Sequence, residues 1–266
     1  MKYKKEVIDL SVLELKVEER VAYLTIKSPP ANALSSKLIA KLDELLTQIE
    51  QEGEAKVVVL QGEGKFFSAG ADIKEFTALQ EASEYETLAK NGQNIFNRIE
   101  HFPLPVIASI HGAALGGGLE LAMACHIRYA TPDAKIGLPE MNLGIIPGFA
   151  GTQRLPRYIG NARAYEMILT GEPISGRQAE EWGLVNRIVE EDELENEVRQ
   201  LAGKIAAKSK PGINRIMQLI PYANTSQFAE GADREAGLFG EIFGSYDAKE
   251  GVSAFKEKRA AKFQDK

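Results

Sequence analysis

The chain has 266 residues, 44% of them hydrophobic, a formal net charge of −6 and a pI near 5.4. That length and apolar content suit one large core, or one domain with an appendage. The acidic balance, with no basic stripe, argues against a nucleic-acid partner, and a single cysteine, Cys125, excludes an intrachain disulfide framework.

The first ten residues, MKYKKEVIDL, are charged and lack the apolar run of a signal peptide, so a cytoplasmic protein is expected. Residues 11–27 alternate apolar and polar on both sides of Glu18, Glu19 and Arg20, which predicts a hairpin. SPPANALSS is turn-forming. Ser36 is placed to cap a helix running to Glu52, with Leu38, Leu42, Leu45 and Ile49 as its apolar stripe and Gly53 as its stop. Residues 56–61, KVVVLQ, read as a buried strand. A glycine-marked loop follows, and Asp72 with Glu75 has the spacing of a capping box that opens a helix. Ser83 with Glu86 has the same spacing at the start of a helix reaching His101, with Tyr85, Leu88, Ile95, Phe96 and Ile99 on its apolar face.

Residues 105–125, PVIASIHGAALGGGLELAMAC, are the centre of the chain. Five apolar or small residues, 106–110, read as a strand. Glycines at 112, 116, 117 and 118 follow, and then a short apolar helix that carries one carboxylate, Glu120. His111, Glu120 and the glycines interrupt the run, so it reads as buried core and not as a membrane span. Three glycines weaken a helix start by roughly 0.5–1 kcal/mol each relative to Ala. A chain tolerates them where backbone N–H groups must meet a ligand, and the helix dipole adds partial positive charge there. The stretch matches neither the GxGxxG nor the GxxxxGK[ST] phosphate loops.

Strands are predicted over 126–131 and 135–138, and residues 139–151, PEMNLGIIPGFAG, read as a long loop. Helices follow over 152–158, 161–170 and 175–182, and a last strand over 185–189. From Glu191 onward the pattern is helical, broken once at Pro211 and Gly212. The expected organisation is therefore a mixed section, 1–195, and an all-helical section, 196–266. The histidines at 101, 111 and 126 show no metal-ligand spacing, so no metal is expected, and Cys125 reads as a small buried filler.

Two loops share one design. Residues 68–72, SAGAD, and 115–118, LGGG, each lead into a helix start with exposed backbone N–H groups. Two such donors aimed at one carbonyl oxygen make an oxyanion hole. Glu120 lies just after the second loop, and Glu140 lies in the long Gly- and Pro-rich loop. Either feature alone is ordinary: a capped turn, or a surface glutamate after a strand. Together, paired carboxylates beside an oxyanion hole can hold a water and exchange protons with a carbon acid.

Five segments resemble those of the crotonase, or enoyl-CoA hydratase, superfamily. FSAGADIKEF is similar to its first oxyanion loop, and IHGAALGGGLELAMACHIRYAT to its second. IGLPEMNLGIIPGFAGTQRLPRYIG is similar to the segment with its second glutamate, LTGEPISGRQAEEWGLVNRIV to the end of its core, and EGVSAFKEKRAAKF to its last helix. His126, Arg128 and Leu119 depart from the usual residues without touching the expected chemistry.

The resemblance implies an α/β fold, a spiral of ββα units followed by a helical oligomerisation region, and a homotrimer or dimer of trimers. It implies an acyl-CoA thioester substrate and no separate cofactor, since coenzyme A is part of the substrate. It puts the oxyanion donors at Ala71 and Gly117 and the catalytic glutamates at Glu120 and Glu140. Ala69, Ala71, Asp72, Ile73 and Lys74 fall on the CoA-binding loop. Gly148 falls near the acyl group, and Phe239 and Lys258 fall on C-terminal CoA positions that a neighbouring subunit often supplies. With both glutamates kept, the expected reaction is hydration of a 2-enoyl-CoA, with Glu120 and Glu140 acting on water and on the Cα proton. The alternatives are an enoyl-CoA isomerase or another acyl-CoA enzyme of the family, and a non-enzymatic binding protein with the same fold. Chain length, branching and pathway stay open.

Overall fold

The computed structural model describes residues 12–78 and 80–266. The reading of residues 1–10 therefore concerns a segment outside those described, as do Ser11 and Leu79.

Strands β1 (Leu13–Glu18) and β2 (Val21–Ile26) form the expected hairpin, in register from Leu13↔Ile26 to Glu18↔Val21. Its turn puts Glu19 and Arg20 at φ 47° and 66°, the left-handed pair that suits right-handed strand twist. Helix α1 (Ser36–Glu52) is capped by Ser35, one residue before the expected cap, through Leu38 N. Strand β3 (Val57–Gly62) precedes α2 (Ile73–Ala78) and α3 (Ala82–Glu100). Neither expected capping box closes. Asp72 accepts from Lys74 N, but the Glu75 carboxylate leaves its own helix and takes Ser36 N and Oγ at the start of α1. The start of α3 is held by Glu84, which accepts from Gln80 N and Glu81 N; Ser83 is already inside the first turn.

Next come β4 (Val106–Ile110), β5 (Ala113–Leu115), α4 (Gly117–Ala124), β6 (Ile127–Ala130) and β7 (Lys135–Gly137). The long loop holds a 3-10 turn (Pro139–Leu143). After it lie α5 (Gly151–Ile159), α6 (Asn161–Thr170), β8 (Ile174–Ser175), α7 (Gly176–Glu181) and β9 (Arg187–Ile188). Among the described residues the sheet order is β1-β2-β3-β4-β6-β9, parallel from β2 onward. A second, small sheet runs β5-β7-β8. The central strands β3 and β4 are buried along most of their length because both faces of the sheet are covered there. Val58, Leu60, Ala108 and Ile110 point into the larger core with α1, α3 and α4. Their neighbours Val57, Val59 and Ile107 point into a second layer with Leu194, Val198 and Ala202.

Those last residues lie on α8 (Glu191–Ala206). The expected boundary at 195/196 thus falls inside a helix whose apolar stripe covers the back of the sheet. Beyond it are α9 (Lys210–Leu219), a 3-10 turn (Ile220–Tyr222), α10 (Phe228–Phe243) and α11 (Tyr246–Glu257). Pro211 does not break a helix; it sits in the first turn of α9, where its missing N–H costs nothing. The architecture is a mixed α/β fold with a parallel sheet and a helical C-terminal region. Among the described residues no helix is long and apolar enough to cross a membrane.

Candidate active site

The site forms where the loop after β3 runs alongside β5. Ser68 N donates to Ala113 O (3.0 Å), and Leu115 N donates to Ser68 O (3.1 Å). The buried Ser68 hydroxyl donates to Asn32 O (2.8 Å). A Cβ at position 118 would collide with the Ser68 carbonyl oxygen, so glycine there lets the first turn of α4 press on this loop. The two expected donors are brought together by that contact: a Cβ on Gly117 would sit 3.3 Å from Ala71 N. Neither the Ala71 nor the Gly117 N–H has a hydrogen-bond acceptor among the described residues. The positive end of the α4 dipole faces the same space.

All of α4 is buried, Glu120 included at 1% exposure. A carboxylate buried this far must find hydrogen bonds or a proton. One oxygen, Oε1, accepts from Phe149 N (2.8 Å) and Gly151 N (2.6 Å). The turn that offers both N–H groups has Ala150 at φ 73°, ψ 26°. A left-handed residue between two donors makes a backbone cradle for an anion. For an L-residue that conformation costs roughly 1–2 kcal/mol. Gly151 is required by close approach, since a Cβ would lie 2.9 Å from Glu120 Oε1. Oε2 has no partner among the described residues and is free for a ligand. Burial and the Glu140 charge push the Glu120 carboxyl up to about 8, against the pull of the two N–H groups and Arg154.

Glu140 enters from the 3-10 turn after β7. Its Oε1 would lie 3.1 Å from a Cβ on Gly116, which puts it against the start of α4. Its Oε2 is buried with no hydrogen-bond partner. Burial holds this carboxyl above the usual range as well. Two carboxyls raised in one pocket can divide the work of accepting and donating a proton near neutral pH. Among the described residues no group of His, Cys, Asp or Glu converges as a metal site.

Ala69, Asp72, Ile73 and Lys74 flank Ala71 along the chain; Ala69, Ile73 and Lys74 are exposed and Asp72 is half-buried. Gly148 precedes the Glu120 cradle, and its carbonyl accepts from Gln93 Nε2 (2.9 Å). Phe239 and Lys258 are not brought to the pocket within one chain. Phe239 is exposed on α10, which packs on α9, α11 and the second 3-10 turn. Lys258 is the exposed left-handed cap of α11. Sequence reasoning missed the Phe149 and Gly151 donors, and also Arg154 behind them. The only trace in the sequence is a glycine at the first position of α5.

Comparisons with known proteins place the chain in a family. The family model described as enoyl-CoA hydratase/isomerase matches residues 16–266. A probable enoyl-CoA hydratase of Bacillus subtilis is 54% identical, over 96% of this chain and 99% of its own. A crotonyl-CoA hydratase of Syntrophomonas wolfei is 40% identical, over 95% and 97%. The crystal structure of an enoyl-CoA hydratase from Bacillus anthracis superposes with a TM-score of 0.91 at 37% identity, covering 96% of this chain and 99% of that one. With a match of this extent around a pocket of this geometry, the chain belongs to the enoyl-CoA hydratase/isomerase family, in the crotonase superfamily.

Proposed function

We propose that the enzyme catalyses reversible hydration of trans-2-enoyl-CoA to 3-hydroxyacyl-CoA. The observation that carries this reading is the pair of raised, partly unpartnered carboxyls beside two backbone N–H groups with no acceptor of their own. The hydratase names of the relatives support it. The Ala71 and Gly117 N–H groups hold the thioester oxygen and stabilise the enolate-like state; one such donor is worth about 3–4 kcal/mol. Glu120 and Glu140 hold the water. Hydration runs from the singly protonated pair with its proton on Glu140: the water oxygen bonds to Cβ and its proton passes to the ionised Glu120 Oε2, while Glu140 delivers its proton to Cα. The carboxyl pair ends with the protons exchanged and the total unchanged. In dehydration the same steps run backward.

Residues 69–74 bind the CoA moiety, with the exposed Lys74 facing its phosphates, and Gly148 borders the acyl group. Phe239 and Lys258 complete the CoA site from a neighbouring subunit of a homotrimer or dimer of trimers. CoA is part of the substrate, and no further cofactor takes part.

The test is loss of the conjugated enoyl-thioester absorbance of crotonyl-CoA. Glu120→Gln and Glu140→Gln should each lower kcat by at least ~10²-fold, the low end for a lost acid–base group, with ligand affinity little changed. The double variant should be less impaired than the product of the singles, because the two groups act on one water. Near-normal hydration by folded Glu140→Gln overturns the two-carboxylate mechanism. Turnover of a 3-enoyl-CoA alone would then identify an isomerase, and CoA binding without turnover a recruited binding protein.

A further inference from the structure

Arg154, on α5, is 2% exposed, and each nitrogen of its guanidinium has one partner. Nε pairs with Glu100 Oε2 (2.9 Å), Nη2 donates to Asn97 Oδ1 (2.6 Å), and Nη1 donates to the Phe149 carbonyl (2.8 Å). The first two arms tie α5 to the end of α3. The third reaches the strained turn whose Phe149 and Gly151 N–H groups aim Glu120 Oε1. We propose that Arg154 is the positioning residue of Glu120: by clamping the Phe149 carbonyl it keeps the 149–151 turn in its cradle form, and so fixes both the direction and the protonation of that carboxylate. The link to catalysis rests on the role given to Glu120 above.

A staple between helices would need only the contacts to Glu100 and Asn97. The arm to Phe149 O instead holds the 149–150 peptide, which lies between the two peptides whose N–H groups serve Glu120. Ala150, between the two donors, has the left-handed conformation that an L-residue keeps only when its surroundings impose it. Two charged groups bear directly on Glu120: Glu140 from the 3-10 turn, which favours its protonated form, and Arg154 from α5, which favours its ionised form. Behind Arg154 stands Glu100 of α3, which also pairs with Arg157. Removing the Arg154 cation therefore lets Glu120 keep its proton to higher pH. Removing the Glu100 charge strengthens the cation's pull and does the opposite.

The experiment compares wild type with Arg154→Met, Arg154→Lys and Glu100→Gln. It uses crotonyl-CoA kinetics and an infrared titration of the protonated-carboxyl band assigned by its loss in Glu120→Gln. Arg154→Met should lower kcat about 10- to 100-fold, the scale of a misplaced catalytic group, with KM within about threefold because the oxyanion and CoA contacts are untouched. Its Glu120 midpoint and the rising limb of kcat/KM should move up by about half a unit or more. Arg154→Lys keeps the charge but loses the fork, so its midpoint should stay near wild type while kcat falls. Glu100→Gln should move the midpoint down. An Arg154→Met protein that is less stable but has the wild-type midpoint and kcat per folded molecule overturns the proposal. If Arg154→Met does not fold, wild-type kcat in Arg154→Lys with no midpoint shift in Glu100→Gln overturns it. If wild type does not hydrate crotonyl-CoA, the reading of the reaction fails, and the infrared midpoints alone decide whether Arg154 governs Glu120.

Discussion

Glu120 is held where its charge is least stable, and that has a measurable effect on folding. In the unfolded chain it ionises near 4.5, whereas in the folded protein burial and Glu140 carry it to about 8. Between those values the native state binds more protons than the unfolded one, so stability falls as pH rises. The contribution is fully present below about 4.5 and is lost as pH rises through about 8. Glu120→Gln removes the titration and keeps the acceptor for the two N–H groups. Its stability advantage over wild type should therefore grow from pH 5 to pH 9, by on the order of 1–3 kcal/mol. Denaturant midpoints at the two pH values read this directly, and a constant gap would refute it. Ala150 offers a second residue-level check. Glycine there gives up the left-handed strain but adds unfolded-state entropy. Ala150→Gly should raise the unfolding free energy by about 0.5–1 kcal/mol if Arg154 still holds the turn, with kcat within a factor of two or so; a lower melting temperature would count against it.

At the level of elements, the loop 69–74 is steadied by a contact that spans two helices. Glu75 of α2 binds Ser36 N (2.9 Å) and Ser36 Oγ (2.7 Å) at the start of α1, where a carboxylate also meets the positive end of the helix dipole. Glu75→Ala should loosen α2 and raise KM for acyl-CoA several-fold at nearly constant kcat, while costing only about 0.5–1 kcal/mol in stability because the pair is exposed. An unchanged KM would show that α2 is held by its packing alone. The same contact shows what was legible in the sequence. Elements with a clear apolar pattern, such as α1, β3, β4 and α4, were readable because burial of one stripe or of both sheet faces fixes residue type along the whole element. Glu120 was legible as an acid in an apolar run. Capping was not. Spacing alone suggested that Asp72 and Glu75 close on each other, but tertiary contact sends Glu75 to α1 and gives α3 to Glu84. Strands β5 and β8, three and two residues long, are too short to show a period. The Glu120 cradle depends on one backbone dihedral at Ala150 and on Arg154, seen in the sequence only as an ordinary arginine in a helix.

For the whole molecule, the C-terminal helices present more apolar surface than a single chain covers. Phe228, Phe239 and Phe243 on α10, Phe255 on α11, and Ile216 and Ile220 are all more than half exposed, beyond the scattered apolar residues normal on a monomer. The region is nonetheless firmly fastened to the core. Asp265 pairs with Lys56, itself 2% exposed, and with Arg20, and the backbone of 264–265 is held by the buried Asp247. The aromatic face is therefore presented in a fixed orientation, which suits association between copies: ordering costs are already met before the partners join. In light scattering at micromolar concentration the mass should be three or six times the 29.2 kDa of one chain. Phe243→Asp, which puts a charge beside Phe239 in the tilted ring pair (centroids 5.7 Å apart), should shift the mass towards one chain while β-sheet and α-helix content is retained. If Phe239 and Lys258 of a neighbour complete the CoA site, the dissociated protein should show a KM for acyl-CoA raised tenfold or so. Its kcat at saturation should fall far less, because Glu120, Glu140 and the Ala71 and Gly117 N–H groups all lie within one chain. A wild-type mass of one chain would remove the oligomer from the reading. A dissociated variant with unchanged KM would keep the oligomer but take Phe239 and Lys258 out of the binding site.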